Sequence, residues 1–258
     1  TSSPYPDGRR VIWSNGLDRI VKVDFDSFET LATYWIEGAR RWTEEDAEPA
    51  IARFNESNEG ISSIYQAFQQ ASKLRELSSI YTVLDRDNTY YVGNKTGLIT
   101  AYGDADPNDP SSPIIEKASF QLPPEVTGLT LGMNMTFDGW LIIPTEHGYV
   151  VAVSRDFTAH HVIRMLHSEG AENKATRDTG YGWVRNGVAI DEEGGLYIAS
   201  QDHMHKLVWT GTRLSTDPGD GAWASPYLNS WTHGTRATPS LMGFGDEDRF
   251  VVITDDEP

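Results

Sequence analysis

MNMTFDGWLIIPTEHGYVVAVSRDF, residues 133–157, decides the fold. Two apolar runs, WLIIP and YVVAV, flank the short turn TEHG, and a tighter turn, TFDG, precedes the first of them. The alternating, β-branched runs favour strands over helix, and Asp-Gly at 138–139 reads as a hairpin turn. Glycine and one small polar residue would suffice for a turn between two buried strands. Glu146 and His147 in that turn therefore raise the question of what they face.

The same pattern recurs along the chain. IYTVLDRDNTYYVGNKTGLITAYGD covers 80–104, NGVAIDEEGGLYIASQDHMHKLVW covers 186–209, and PSLMGFGDEDRFVVITDDEP covers 239–258. Asp85, Asp138 and Asp191 recur at steps of 53 residues, and Asp246 follows 55 later. This spacing predicts that the aspartates occupy equivalent turns between the first and second strands of successive units. Several short strands per unit at such a period signal a β-propeller.

The predicted fold is thus all-β, an incomplete propeller of about four to five blades with a helical insertion. GLDRIVKVD at 16–24 reads as the third strand of a preceding blade. Residues 1–26 then form a partial first blade, and 80–258 four further repeats, the last incomplete. Between them, residues 27–79 change period. SFETLATYWIEGARRW puts Phe28, Leu31, Trp35 and Trp42 on one helical stripe, with Ser27 as N-cap, and ISSIYQAFQQASKLREL aligns Ile61, Ile64, Phe68 and Leu74 on another. Helices are expected over 28–42 and 61–77, as a lid over a site or a cover for a sheet edge. In the last copy, FVVITDDEP supplies a second strand and no third, which would leave ladder groups and the apolar side of Val251 and Ile253 bare. The expectation is that a C-terminal remainder of the same polypeptide, or a second chain, completes the propeller.

Composition narrows the partners. Among 258 residues, 38 are acidic and 21 basic, a net charge of −17, which argues against nucleic acid and anionic membrane surfaces. No apolar run approaches the roughly 18 residues of a membrane span. The absence of cysteine removes disulfides, thiolate metal sites and thiol catalysis. The chain opens TSSPYPDGRR, without Met or an apolar leader, as a processed mature form would. A soluble protein of the periplasm or the secreted fraction is expected.

In a propeller, the lead-in to the innermost strand and the turn between the second and third strands share one face of the disc. The lead-ins here offer Asn134, Asn186 and Thr238. The turns offer Asn94 and Lys95, Glu146 and His147, Asp202 and His203, and Asp255 and Asp256. These side chains either converge on a shared mouth or simply meet water. Amide and carboxylate oxygens suit a hard cation, so Asn134, Asn186, Asp255 and Asp256 are candidate ligands of a divalent ion, calcium above all. Such an ion can polarise an ester or lactone carbonyl, with His147 or His203 as general base. His203 and His205 lie two apart in a strand and share a face, a spacing that also suits zinc or copper with His147. The tandem pair His160 and His161 points to opposite faces, and His167 sits in a connecting segment. DADPNDP at 104–110 begins like a calcium loop but lacks its glycine and its final glutamate, where Ile115 stands. No phosphate-cradling, dinucleotide or serine-hydrolase motif is present.

RNGVAIDEEGGLYIAS, residues 185–200, resembles the inner-strand signature of the gluconolactonase, paraoxonase and strictosidine-synthase-like propellers. The resemblance implies that Asn186, followed by glycine, is a metal ligand, and more weakly Asn134, which is followed by Met. TGLITAYGD and HGYVVAVSRD resemble the third strand of quinoprotein-type repeats. The docking tryptophans and vicinal cysteines of those enzymes are absent, so pyrroloquinoline quinone is not expected. Two functions follow as expectations. One is a metal-assisted hydrolase or lyase acting on a small lactone- or ester-like molecule. The other is a non-catalytic propeller that binds a ligand or a protein.

Overall fold

The computed structural model describes residues 1–16, 18–39, 45, 81–130, 132–172, 183–229, 234–235, 237–244 and 248–254. The helix expected over 61–77, Trp42, Asp246, Asp255 and Asp256 lie outside them. The chain divides into two compact units. One is Thr1–Ser78, Leu84–Thr96 and Thr100–Lys117, and the other is Ser79–Val83, Gly97–Ile99 and Ala118–Pro258.

The strands form five antiparallel sheets among the described residues, each taking its strands nearly in chain order. The first holds β1 (Val11–Asn15), β2 (Arg19–Asp24) and β3 (Thr30–Trp35). The second runs β4 (Val83–Leu84), β5 (Tyr90–Gly93), β6 (Leu98–Asp104) and β7 (Ile114–Gln121). The third runs β8 (Asn134–Met135), β9 (Trp140–Pro144), β10 (Tyr149–Ser154) and β11 (His160–Arg164). The fourth runs β12 (Ala189–Ile190), β13 (Gly195–Ala199), β14 (His203–Trp209) and β15 (Leu214–Ser215), with β16 (Trp223–Pro226) also on β14. The fifth is the hairpin of β17 (Ser240–Phe244) and β18 (Asp248–Val252). In the second, third and fourth sheets the repeat read from the sequence is thus a blade with a two-residue first strand and a buried second one.

Two boundaries move. Residues 28–35 are not helical: β3 completes the first blade, so that blade reaches Trp35 rather than residue 26, and GLDRIVKVD holds its middle strand. The cause is local. Asp24 Oδ1 accepts from the backbone N–H of Asp26 and Ser27, and Phe28 takes a left-handed φ of 59°, so a tight turn forms where a cap was expected. The β-branched and aromatic residues of TLATYW then pair with β2, and Leu31, Ala32 and Tyr34 lie against the core of the first unit. A 3.6-residue stripe and a half-buried strand both use Leu31 and Trp35, and the turn decides between them.

The aspartate register is also different. Asp85 and Asp191 are true counterparts. Oδ1 of each accepts two backbone amides, from Asp87 and Thr89 in one case and Glu193 and Gly195 in the other. Oδ2 of each accepts a tyrosine hydroxyl, Tyr91 at 3.3 Å and Tyr197 at 2.8 Å. In the intervening blade this place belongs to Thr136, two residues before Asp138. Its N–H donates to Trp140 O and its Oγ1 accepts from Trp140 N–H. Asp138 instead accepts from the Thr136 hydroxyl and from the Trp209 indole N–H at 2.9 Å. Asp191→Ala is expected to cost about 2 kcal/mol in chemical denaturation, since a carboxylate holding several donors is removed. Asp138→Ala should cost less, and equal losses would contradict the assigned equivalence.

Each unit has its own core. In the first, Tyr5, Val11, Trp13, Ile20, Tyr90, Val92, Tyr102 and Ile114 cluster. Within this unit Lys22 is fully buried: it pairs with Asp104 and donates to Ser112 O at 2.7 Å, and Tyr5 donates to Asp104 at 2.6 Å. In the second unit, Ile142, Val150 and Ala152 of the third sheet meet Leu196, Ile198 and Leu207 of the fourth. Interdigitation of neighbouring blades thus supplies the apolar burial that no single blade provides.

Candidate functional site

The turns between second and third strands in the second unit are built to hold polar side chains in place. Thr145–Gly148 closes through Gly148 N–H to Thr145 O, with Gly148 at φ 80°. Glu146 spans outward in both directions. Its N–H donates to Leu129 O, and its carbonyl accepts from Val184 N–H, in the lead-in to the next blade. The TEHG turn is therefore a junction between blades as well as a hairpin, and Glu146 is buried there. The corresponding turn, Ser200–Asp202, is tied down by Tyr227. Its hydroxyl donates toward the carbonyls of Ser200 (2.5 Å) and Gln201 (2.8 Å) and accepts from Thr235 N–H.

Directly after this turn stand His203 and His205, on one face of β14 as the sequence predicts, with ring centroids 5.9 Å apart. No residue pattern adds His167 to this pair, yet its ring joins it. Its ring stacks on His203 with centroids 4.4 Å apart and planes 10° from parallel. It reaches this place through a left-handed backbone, φ 59°, just before the buried Ser168, whose hydroxyl donates to Met165 O. No periodicity foretells such a kink. Asp202 Oδ1 lies 3.0 Å from His203 Nδ1. The Ser200 hydroxyl stands 3.1 Å from His205 Nε2.

The electrostatics separate the imidazoles. His205 is 2% exposed, and burial, with His203 and His167 next in weight, lowers its pKa to about 4 against the opposing pull of Asp202. It is neutral near pH 7, a fixed polar wall rather than a titrating group. His203 differs in place: its side chain is 18% exposed, with the Asp202 carboxylate 3.0 Å from its Nδ1.

The other candidates are dispersed. His147 Nδ1 is 2.9 Å from the Thr127 hydroxyl, and no described contact joins it to His203. His160 lies against Phe120, and His161 against Trp140 and Trp209. Asn134 and Asn186 are not counterparts. Asn134 lies within β8, opposite Ile142, while Asn186 precedes β12. Each spends its Nδ2 on a carbonyl of the following segment, Asn134 on Val188 O (2.9 Å) and Asn186 on Thr235 O (2.7 Å). Asn134 Oδ1 accepts from Met135 N–H. The two amides thus clamp neighbouring blades together through their nitrogens. Among the described residues no group of three or more His, Asp or Glu is placed to hold a metal. No helix among them is long and apolar enough to cross a membrane.

Glycine sits where these clamped segments come closest. A Cβ on Gly132 would lie 2.5 Å from Gly187 Cα, and one on Gly187 would lie 3.2 Å from the Thr238 hydroxyl. The Asn-Gly signature at 186–187 therefore has a structural reason, in which glycine allows the approach and asparagine fastens it.

No family model matches the chain. An uncharacterized protein of Archaeoglobus fulgidus is 29% identical over 264 residues, covering 98% of this chain and 41% of the relative. The chain thus spans less than half the length of that curated relative. Among solved structures, virginiamycin B lyase from Staphylococcus aureus aligns with a TM-score of 0.51 and 12% identity, over 93% of this chain and 59% of that one. Its catalytically inactive histidine-to-alanine variant, solved with quinupristin, aligns at 0.53 with 11% identity, over 97% and 61%. Likeness at this identity speaks for the fold alone. The chain is an all-β protein of the β-propeller fold.

Proposed function

We propose that the chain cleaves a small ester- or lactone-like molecule, as a hydrolase or lyase, with His203 as general base. One observation carries this reading: His203 is stacked on His167 while the Asp202 carboxylate stands at its Nδ1. Asp202 Oδ1 is within ion-pair distance of Nδ1, although no hydrogen bond joins them, and it sets a negative charge beside the base. The stacked ring of His167 and the neutral ring of His205 restrict rotation of the base. The substrate class rests on the resemblance of residues 185–200 to the lactonase-type propellers.

The test is a screen of chromogenic esters and lactones, run with and without chelator. His203→Ala should lower kcat/KM by about a hundredfold or more, the usual range for loss of a general base. Asp202→Asn should also lower kcat/KM, by less than His203→Ala, and His160→Gln should change nothing. Turnover that survives His203→Ala, or that disappears with chelator alone, would refute the base assignment. Saturable binding without turnover, lost in the same variant, would favour the non-catalytic propeller instead.

A further inference from the structure

In three blades the second strand is enclosed on both faces. Every residue of β5 and β13 is buried, and β9 is buried apart from its first residue, the half-buried Trp140. The fifth sheet begins the same way, with β17 and β18 in register from Ser240↔Val252 to Phe244↔Asp248. Its second strand is nevertheless open, with Phe250 59% and Val252 42% exposed, and Met242, opposite Phe250, 52% exposed. The alternation of the strand sorts these residues by face. Val251 and Ile253 lie against Tyr197, Ala199 and Met204 of the preceding blade. Met242, Phe250 and Val252 share the opposite face. The ladder is open too: β9 and β13 each pair with a third strand on their far side, whereas among the described residues β18 pairs with β17 alone.

We infer that this face docks a further blade of the same repeat, carried on the same polypeptide. Its leading segment pairs along β18 as the missing third strand, and the sheet that follows stacks on Met242, Phe250 and Val252. Three observations fix the occupant. The open edge demands main-chain partners in extended conformation, which a helix cannot supply. The exposed face repeats the chemistry by which Val251 and Ile253 already join the preceding blade, so the interface continues a pattern present one blade earlier. The Archaeoglobus relative, matched over 41% of its length, has room for further repeats.

A photoreactive benzoylphenylalanine at position 250, in the natural polypeptide expressed from its own gene, tests this. The expected product keeps the mass of a single polypeptide, with its cross-link mapped by mass spectrometry to a strand outside residues 1–258. A cross-linked homodimer, a cross-link to an unrelated protein, or no cross-link would overturn the inference. As a second measurement, Phe250→Lys should lower the Tm of the natural polypeptide while leaving that of the 258-residue chain nearly unchanged. Equal responses of the two proteins would also overturn it.

Discussion

Replacing Asp104 with alanine should destabilise the protein by about 3–5 kcal/mol, the usual penalty for removing one partner of a buried ion pair. Lys22 is completely buried and the Asp104 side chain is 3% exposed, so the ammonium left behind has no water to turn to. The Ser112 carbonyl at 2.7 Å and the Trp13 ring, 5.5 Å from Nζ, would be its remaining partners, and neither carries a compensating charge. Tyr5, whose hydroxyl now donates to Asp104 and whose ionisation is suppressed first by burial and then by that carboxylate, would lose its acceptor. Urea denaturation measures the loss. Lys22→Met combined with Asp104→Leu should recover most of it, because both desolvation penalties are then removed together. A loss below about 1 kcal/mol in Asp104→Ala would show that the pair behaves as a solvated surface bridge.

The second large effect is expected on acidification. His205 has a folded pKa of about 4, against an ordinary value of 6.5. Between these values the unfolded chain binds the proton and the folded one does not, so stability is full above pH 6.5 and falls as pH drops toward 4. The total loss is about 3 kcal/mol, from the usual conversion of pKa difference to free energy. The groups facing the ring set the sign: burial, His203 and His167 oppose its charge, and Asp202 alone favours it. Denaturation midpoints followed from pH 7.5 to 4 should show the decline, and His205→Gln should flatten it. An equal slope in that variant would place the acid sensitivity elsewhere.

The repeat was legible because three of the blades bury their second strand on both faces, which leaves runs such as WLIIP and GLYIA between polar turns. The equivalence of Asp85 and Asp191 was also legible, since only a side-chain acceptor at that point can hold the two amides of the turn. The intervening blade misled because a threonine hydroxyl takes that place, holding one amide instead of two, and a nearby aspartate kept the spacing regular by coincidence. β3 was hidden because its apolar residues satisfy two periods. His167 was hidden because its position depends on one left-handed φ and on Ser168, neither of which leaves a pattern in the sequence. Asn134 and Asn186 show a subtler gap. Their residue type suggested oxygen ligands, and it gave no hint that their amide nitrogens would tie successive repeats together.

Those amide clamps, together with the close approach of Gly132 to Gly187, have a consequence for how the second unit comes apart. Each clamp joins a repeat to its immediate successor, so the coupling is between nearest neighbours, as in a linear chain of spins. Unfolding of one repeat removes the acceptor carbonyl and the glycine contact of the repeat before it, and loss of order should spread stepwise from whichever repeat melts first. Cooperativity in such a system is a property of the junctions, and whole repeats become the natural unit of duplication or deletion.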